Sequence, residues 1–174
     1  DPGAVYDGVK ESEINLQIAK RLKEYLEMFS FKVLLTRYDS DDLSESDNKF
    51  SDLKKRKEIV LKNNPDLFIS IHLNSFSVGK YFGAQVFYDK ANSEGERFAY
   101  FVQNELRHMP NGMYNKRQIK NIDVYILRNL KMPSILIECG FMSNKTELML
   151  LKTPEYQHWL AYSIVKGTLR YFDE

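Results

Sequence analysis

The chain has 174 residues, the length of one domain with a full hydrophobic core, and 43% of them are apolar, too many for an intrinsically disordered segment. Its 25 Lys and Arg against 24 Asp and Glu leave a net charge of +1, which gives no electrostatic footprint for nucleic acid or an anionic lipid surface. No stretch approaches the roughly 18 apolar residues of a membrane span, and the single Cys139 excludes an internal disulfide or a cysteine-rich zinc cluster, so any metal would use His and carboxylates.

In chain order, Ile14, Ile18, Leu22, Leu26 and Phe29 recur at three- and four-residue steps and predict an amphipathic helix over residues 11–28. A strand is expected at 31–36 (FKVLLT), then a solvated acidic loop over 39–52. Residues 53–63 read as a second helix, and 66–72 (DLFISIH) as a buried strand. Beyond a Ser, Gly and aromatic loop come a strand at 83–88 (GAQVFY), a helix at 94–106 and a short strand at 124–127. The last strand is 134–138 (SILIE), opened by a proline. Asn144 with Glu147 makes a capping-box start, and Thr153-Pro154 opens a final helix to about residue 172. Strands alternating with helices, without internal repeat, predict an α/β fold: a single domain with a mixed, mostly parallel twisted sheet flanked by helices.

In such sheets ligands gather outside the carboxyl ends of the strands, and two residues fall there. His72 ends DLFISIH and is followed by Asn74 and Ser75, polar groups that a sealed core would have to pair. It is either a ligand or a hydrogen-bonded structural histidine. Glu138 ends SILIE. Burial there would raise its pKa toward that of a general base, and the alternative is a carboxylate held by backbone or arginine hydrogen bonds. Glu11 and Glu13 open the first helix, where acids answer the helix dipole whether or not they ligate a metal. Cys139 alternates to the opposite strand face from Glu138 and reads as core. Arg37, Arg56, Arg117 and Arg128 either orient an anionic substrate or sit in ion pairs, while His108 and His158 read as structural or exposed. A turn at Asp1-Pro2-Gly3 is no phosphate loop, and no GxxxxGK[ST] or GxGxxG occurs.

The segments DPGAVYDGVKESEINL, LLTR, LFISIHLNS, GAQVFY, KRQIKNIDVYILR and MPSILIECGFMSNKTE follow one another in the order and spacing of a known family. Over nearly its whole length the chain resembles the zinc-dependent N-acetylmuramoyl-L-alanine amidases (amidase type 3), most specifically in SIHLNS and ILIECGFMSN. Among them it is most similar to the small spore-cortex amidases of endospore formers. The resemblance implies hydrolysis of the amide between the lactyl group of N-acetylmuramic acid and L-alanine in peptidoglycan, with Zn2+ as cofactor and peptidoglycan glycan and stem peptide as partners. It also implies action outside the cytoplasmic membrane, in the cell wall or forespore intermembrane space, after removal of an upstream leader.

Matched position by position, the resemblance makes Glu11 (Glu13 in the shifted register) and His72 zinc ligands and Glu138 the catalytic glutamate, with Asn74 and Arg128 at substrate-binding positions. The family's further histidine ligand lies in an Asp-Pro-Gly-His-Gly-Gly segment after a first strand. This chain has Asp1-Pro2-Gly3-Ala4-Val5 there, so that strand and its histidine are expected upstream of Asp1. Catalytic zinc takes three protein ligands and a water, and two ligands alone hold it weakly. The stretch from His72 to Gly83 is too short for the helical lid of autoinhibited relatives. Control then falls to expression, location, substrate form or a regulatory protein partner, with the aromatic loop 76–82 as its candidate contact surface. Two other readings stay open on the sequence: a zinc carboxypeptidase or endopeptidase acting on the stem peptide, and an inert module that binds glycan or a partner.

Overall fold

The computed structural model describes residues 3–39, 49–109 and 115–174. A small antiparallel ribbon, β1 (Val5–Tyr6) and β2 (Val9–Lys10), turns through Asp7 and Gly8, both at positive φ, and leads straight into α1 (Glu11–Met28). α1 buries Ile14, Ile18, Leu22 and Leu26, the stripe its spacing calls for. Then follow α2 (Lys49–Asn63), β3 (Phe68–Asn74), β4 (Gln85–Tyr88), α3 (Ser93–Arg107), β5 (Lys120–Asn121), β6 (Ser134–Phe141), α4 (Lys145–Leu151) and α5 (Pro154–Asp173). The main sheet runs β3-β6-β4-β5, with β3/β6 and β4/β5 parallel and β4/β6 antiparallel, the mixed and mostly parallel sheet expected.

Alternation along β6 sends Ile135, Ile137 and Cys139 to one face, where Val86, Tyr88 and Leu73 join them against the apolar stripes of α1, α3 and α5. α3 and α5 cross so closely that a Cβ on Gly167 would stand 2.5 Å from Val102 Cα. On the other face Leu136 and Phe87 lie under Ile126 and Leu127, and Val60 of α2 packs with Leu130 and Met132. That face also carries His72, Glu138 and Gln85, in register across three strands.

Four expectations change. Residues 31–36 form no strand. A strand needs a neighbour's N–H and C=O groups, and β3, the edge of the sheet among the described residues, is separated from this segment by a cavity of about 760 Å3. Leu22, Leu26, Phe31, Val33, Leu35 and Ile71 line it. Residues 124–127 form a turn, with the amides of Leu127 and Arg128 both donating to Val124 O (3.1 and 3.2 Å), and the short strand is 120–121 instead. The apolar run misled because Ile126 and Leu127 are buried as a plug rather than as ladder residues. α2 starts at Lys49, so residues 49–52 are helical, whereas 40–48 of the acidic loop lie outside the described residues. β3 runs on to Asn74 with a register shift after His72, and β6 continues to Phe141, so neither His72 nor Glu138 is a terminal strand residue. Asp1-Pro2 and the turn at 110–112 also fall outside the described residues.

Candidate active site

The β1/β2 ribbon and the start of α1 bring Glu11 onto the sheet edge beside His72. Glu11 is 9% exposed, and both of its oxygens are engaged. Oε2 accepts from Ala4 N (2.9 Å), while Oε1 accepts from Asn15 Nδ2 (3.0 Å), His72 Nδ1 (3.1 Å) and Leu73 N (3.3 Å). Burial pushes its carboxyl up, but the His72 bond, the Ala4 amide and the charge of the imidazole outweigh it and hold the pKa at about 2. Glu13, two residues on, points away toward Lys10 (3.7 Å) with its side chain half exposed. The other nitrogen of His72, Nε2, lies 3.0 Å from Ser70 Oγ.

Glu138 is the register partner of His72 on β6. Its Oε2 is buried and has no hydrogen-bond partner among the described residues. Burial raises its carboxyl pKa to about 7, the charge of Glu11 adding to the rise and that of His72 opposing it. A buried carboxylate whose second oxygen has no partner among the described residues, with a pKa near neutrality, suits a group that takes and returns a proton. Glu11 and His72 supply one oxygen and one nitrogen donor at a common point, the ligand types zinc takes, whereas no group of three metal-ligating side chains occurs among the described residues.

Asn74 stands at the bulged end of β3, its carbonyl accepting from Met142 N (2.8 Å). Arg128 is ion-paired with Asp123 (Nη2 to Oδ2, 2.9 Å), and its described side-chain contacts do not reach Glu11, His72 or Glu138. His158 bonds Tyr25 Oη (2.7 Å) and His108 bonds Asn104 O (2.7 Å), both away from this cluster. Cys139 is fully buried in the core, where burial pushes its thiol far up.

A family profile described as N-acetylmuramoyl-L-alanine amidase matches residues 1–170. The chain belongs to the N-acetylmuramoyl-L-alanine amidase family. It is 39% identical to the germination-specific N-acetylmuramoyl-L-alanine amidase of Bacillus subtilis (strain 168), over 100% of this chain and 76% of that one. Among solved structures it is similar to the CwlD amidase of Clostridioides difficile, in complex with the GerS lipoprotein, with a TM-score of 0.94 and 37% identity over 99% of this chain and 92% of that one. The catalytic domain of CwlV from Bacillus (Paenibacillus) polymyxa gives 0.87 and 27%, again over 99% and 92%. The protein is therefore an amidase of peptidoglycan, a cell-wall hydrolase, and the peptidase and inert-module readings fall away. No helix among the described residues is long and apolar enough to cross a membrane.

The parts that Glu147, Gln85 and Gly83 play at this end of the sheet escaped the sequence reading, which weighs Arg117 only as an anion-orienting or ion-paired residue. Glu147 makes only half of the expected capping box. Its amide is capped by Asn144 Oδ1 (3.1 Å), but its fully buried carboxylate turns inward to accept from Gly83 N and Phe141 N, both at 2.8 Å. Gln85, register partner of Glu138, accepts from Arg117 Nη1 (3.0 Å), and Arg117 Nε donates to Phe82 O (2.8 Å). The one sequence signal was a polar residue inside an apolar strand, Gln85 in GAQVFY. Gly83, at φ +92, is required where the chain enters β4, since a Cβ there would stand 2.8 Å from Asn115 Oδ1. In loop 76–82, Phe76, Tyr81 and Phe82 are 52%, 41% and 40% exposed, and the rings of Phe76 and Tyr81 rest against Phe141.

Proposed function

We propose that this amidase uses zinc held by Glu11 and His72, with Glu138 as its general base and acid, to cut the lactyl–L-alanine amide during maturation of the spore cortex. The observation that carries the reading is Glu138 itself: a raised carboxyl with one oxygen buried and unbonded among the described residues, one strand away from the Glu11–His72 pair. When bound, zinc would acidify water and polarise the scissile carbonyl. Glu138 takes the proton of the attacking water and delivers it to the departing L-alanine nitrogen, so one group serves both halves of the hydrolysis. Glu11, pinned by the Ala4 and Leu73 amides and by Asn15, keeps its charge and its place as a ligand. Asn74 lies next along β3 and is a substrate contact in the same reading, as is Arg128.

A third zinc ligand is needed, and we place it on a histidine preceding Asp1, at the end of a strand that fills the cavity between β3 and residues 31–36. The apolar lining and the unpaired edge of β3 among the described residues support this. Action in the forespore intermembrane space after loss of a leader, and a regulatory protein partner, belong to the same proposal. They are supported by the germination-specific relative and by the lipoprotein bound to the Clostridioides difficile relative.

The test is release of stem peptides from purified peptidoglycan by the full-length, zinc-loaded protein and by Glu138→Gln. New L-alanine amino ends are expected, reduced about 10²- to 10⁴-fold in the variant while its zinc content stays the same. Undiminished release by Glu138→Gln would overturn the assignment.

A further inference from the structure

Next to this end of the sheet lies a cleft of about 450 Å3 lined by Lys80, Tyr81, Phe82, Lys116 and Arg117, three cations and two rings. Arg117 is the most firmly held of them. Its Nε and Nη1 donate to Phe82 O and Gln85 Oε1, and its guanidinium lies 4.4 Å from the Phe141 ring centre, so two of its three nitrogens and one face are engaged. Nη2 donates to nothing among the described residues, and Arg117 enters no ion pair there. The carboxylate facing it from α4, Glu147, is committed to the Gly83 and Phe141 amides. Burial pushes the Arg117 guanidinium pKa down, and the charges of Glu147 and Tyr81 oppose that. Lys80 Nζ lies 5.4 Å from the Tyr81 ring centre at the same cleft.

Register gives the distance to the chemistry. Gln85 is one strand spacing from Glu138, about 4.8 Å. Arg117 is one hydrogen bond beyond the Gln85 side chain, so an anion on its Nη2 sits on the order of 10–15 Å from Glu138, about three to four residues of extended peptide. On the substrate, the lactyl carboxyl is consumed in the scissile amide, so a carboxylate at that reach belongs to the stem peptide.

We propose that Arg117, flanked by Lys80 and Lys116 and walled by Tyr81 and Phe82, is a subsite for a stem-peptide carboxylate and sets the preference of the amidase for free over amidated peptides. The proposal rests on the hydrolytic reading above and deepens it. Direct binding tests it without catalysis: calorimetric titration of the full-length protein with a synthetic stem peptide whose carboxylates are free, and with the same peptide amidated. Wild type is expected to favour the free form about 10- to 100-fold, as a charge-assisted hydrogen bond from Nη2 would. Arg117→Gln is expected to bring the two within about threefold, and Arg117→Lys, a point charge without the fork, to fall between. Equal affinities in wild type, or discrimination surviving in Arg117→Gln, would overturn the subsite. Should Arg117→Gln not fold, the wild-type comparison alone decides. Peptide release from peptidoglycan is measured on the same sample. Discrimination without release sinks the catalytic assignment and leaves the subsite standing; release without discrimination does the reverse.

Discussion

Glu147 is the anchor on which the ends of β4 and β6 depend, and its replacement has a magnitude that can be worked out. Its two oxygens accept from the buried amides of Gly83 and Phe141, one each. Glu147→Gln keeps the size but turns an NH2 toward one of those amides, leaving one buried donor unsatisfied at a cost of about 1–3 kcal/mol. Glu147→Ala strips both, at about twice that. A 174-residue domain unfolds with an entropy of about 0.37 kcal/mol/K, at about 2.1 cal/mol/K per residue, so the expected falls in Tm are about 5 °C for Gln and about 10 °C for Ala. Burial pushes the carboxyl of Glu147 above its ordinary value, and the Phe141 and Gly83 amides pull it down only in part. A raised folded-state pKa means that the folded protein holds the proton more tightly than the unfolded chain. The advantage of wild type over Glu147→Gln is therefore greatest below the ordinary carboxylate range and shrinks as pH rises through the raised value. Urea unfolding of both proteins between pH 4 and pH 8 measures this. A Glu147→Gln variant within about 0.5 kcal/mol of wild type at every pH, or a gap that widens toward pH 8, would refute the argument.

Gly167→Ala gains helix propensity of about 1 kcal/mol, yet its methyl would stand 2.5 and 2.9 Å from Val102 Cα and N, which are backbone and cannot rotate aside. Overpacking of about 1–3 kcal/mol or more is expected to win, lowering Tm by several degrees; a raised Tm would show that α3 and α5 separate freely. Burial pushes Glu105 up, but Lys166 (2.7 Å) and Arg170 (3.0 Å) outweigh it and hold it below the usual carboxylate range. Glu105→Gln should cost about 1 kcal/mol at pH 7, small because both cations are half in solvent. The gap from wild type should close as pH falls through the lowered pKa, and a pH-independent gap in urea unfolding would contradict the ion pair. Glu11→Gln should bring bound zinc in the full-length protein from about one equivalent to near zero at micromolar metal, because a neutral amide is a poor zinc ligand. Metal analysis showing full retention would remove Glu11 from the ligand set.

Much of this protein is set by local pattern. The three- and four-residue apolar steps of α1 and α3, the apolar runs of β3 and β6, and the side-chain caps of Asn144 and Thr153 each depend on residues near in sequence, which is why they are readable in order along the chain. His72, Glu138 and Glu11 were likewise legible as candidates, from the placement of polar residues at the ends of apolar elements. Pattern could not say which acid of the first helical turn meets His72. That is decided by the turn of the β1/β2 ribbon, which brings the amide of Ala4, just before β1, to Glu11 and holds it inward while Glu13 faces Lys10. Nor could it say that 31–36 would lie without a ladder partner while 124–127 plugs a core, because a strand exists only by pairing and the partner is remote in sequence. The inward turn of Glu147 and the chain from Glu138 through Gln85 to Arg117 join residues tens of positions apart through sheet register, and register is a property of the assembled sheet.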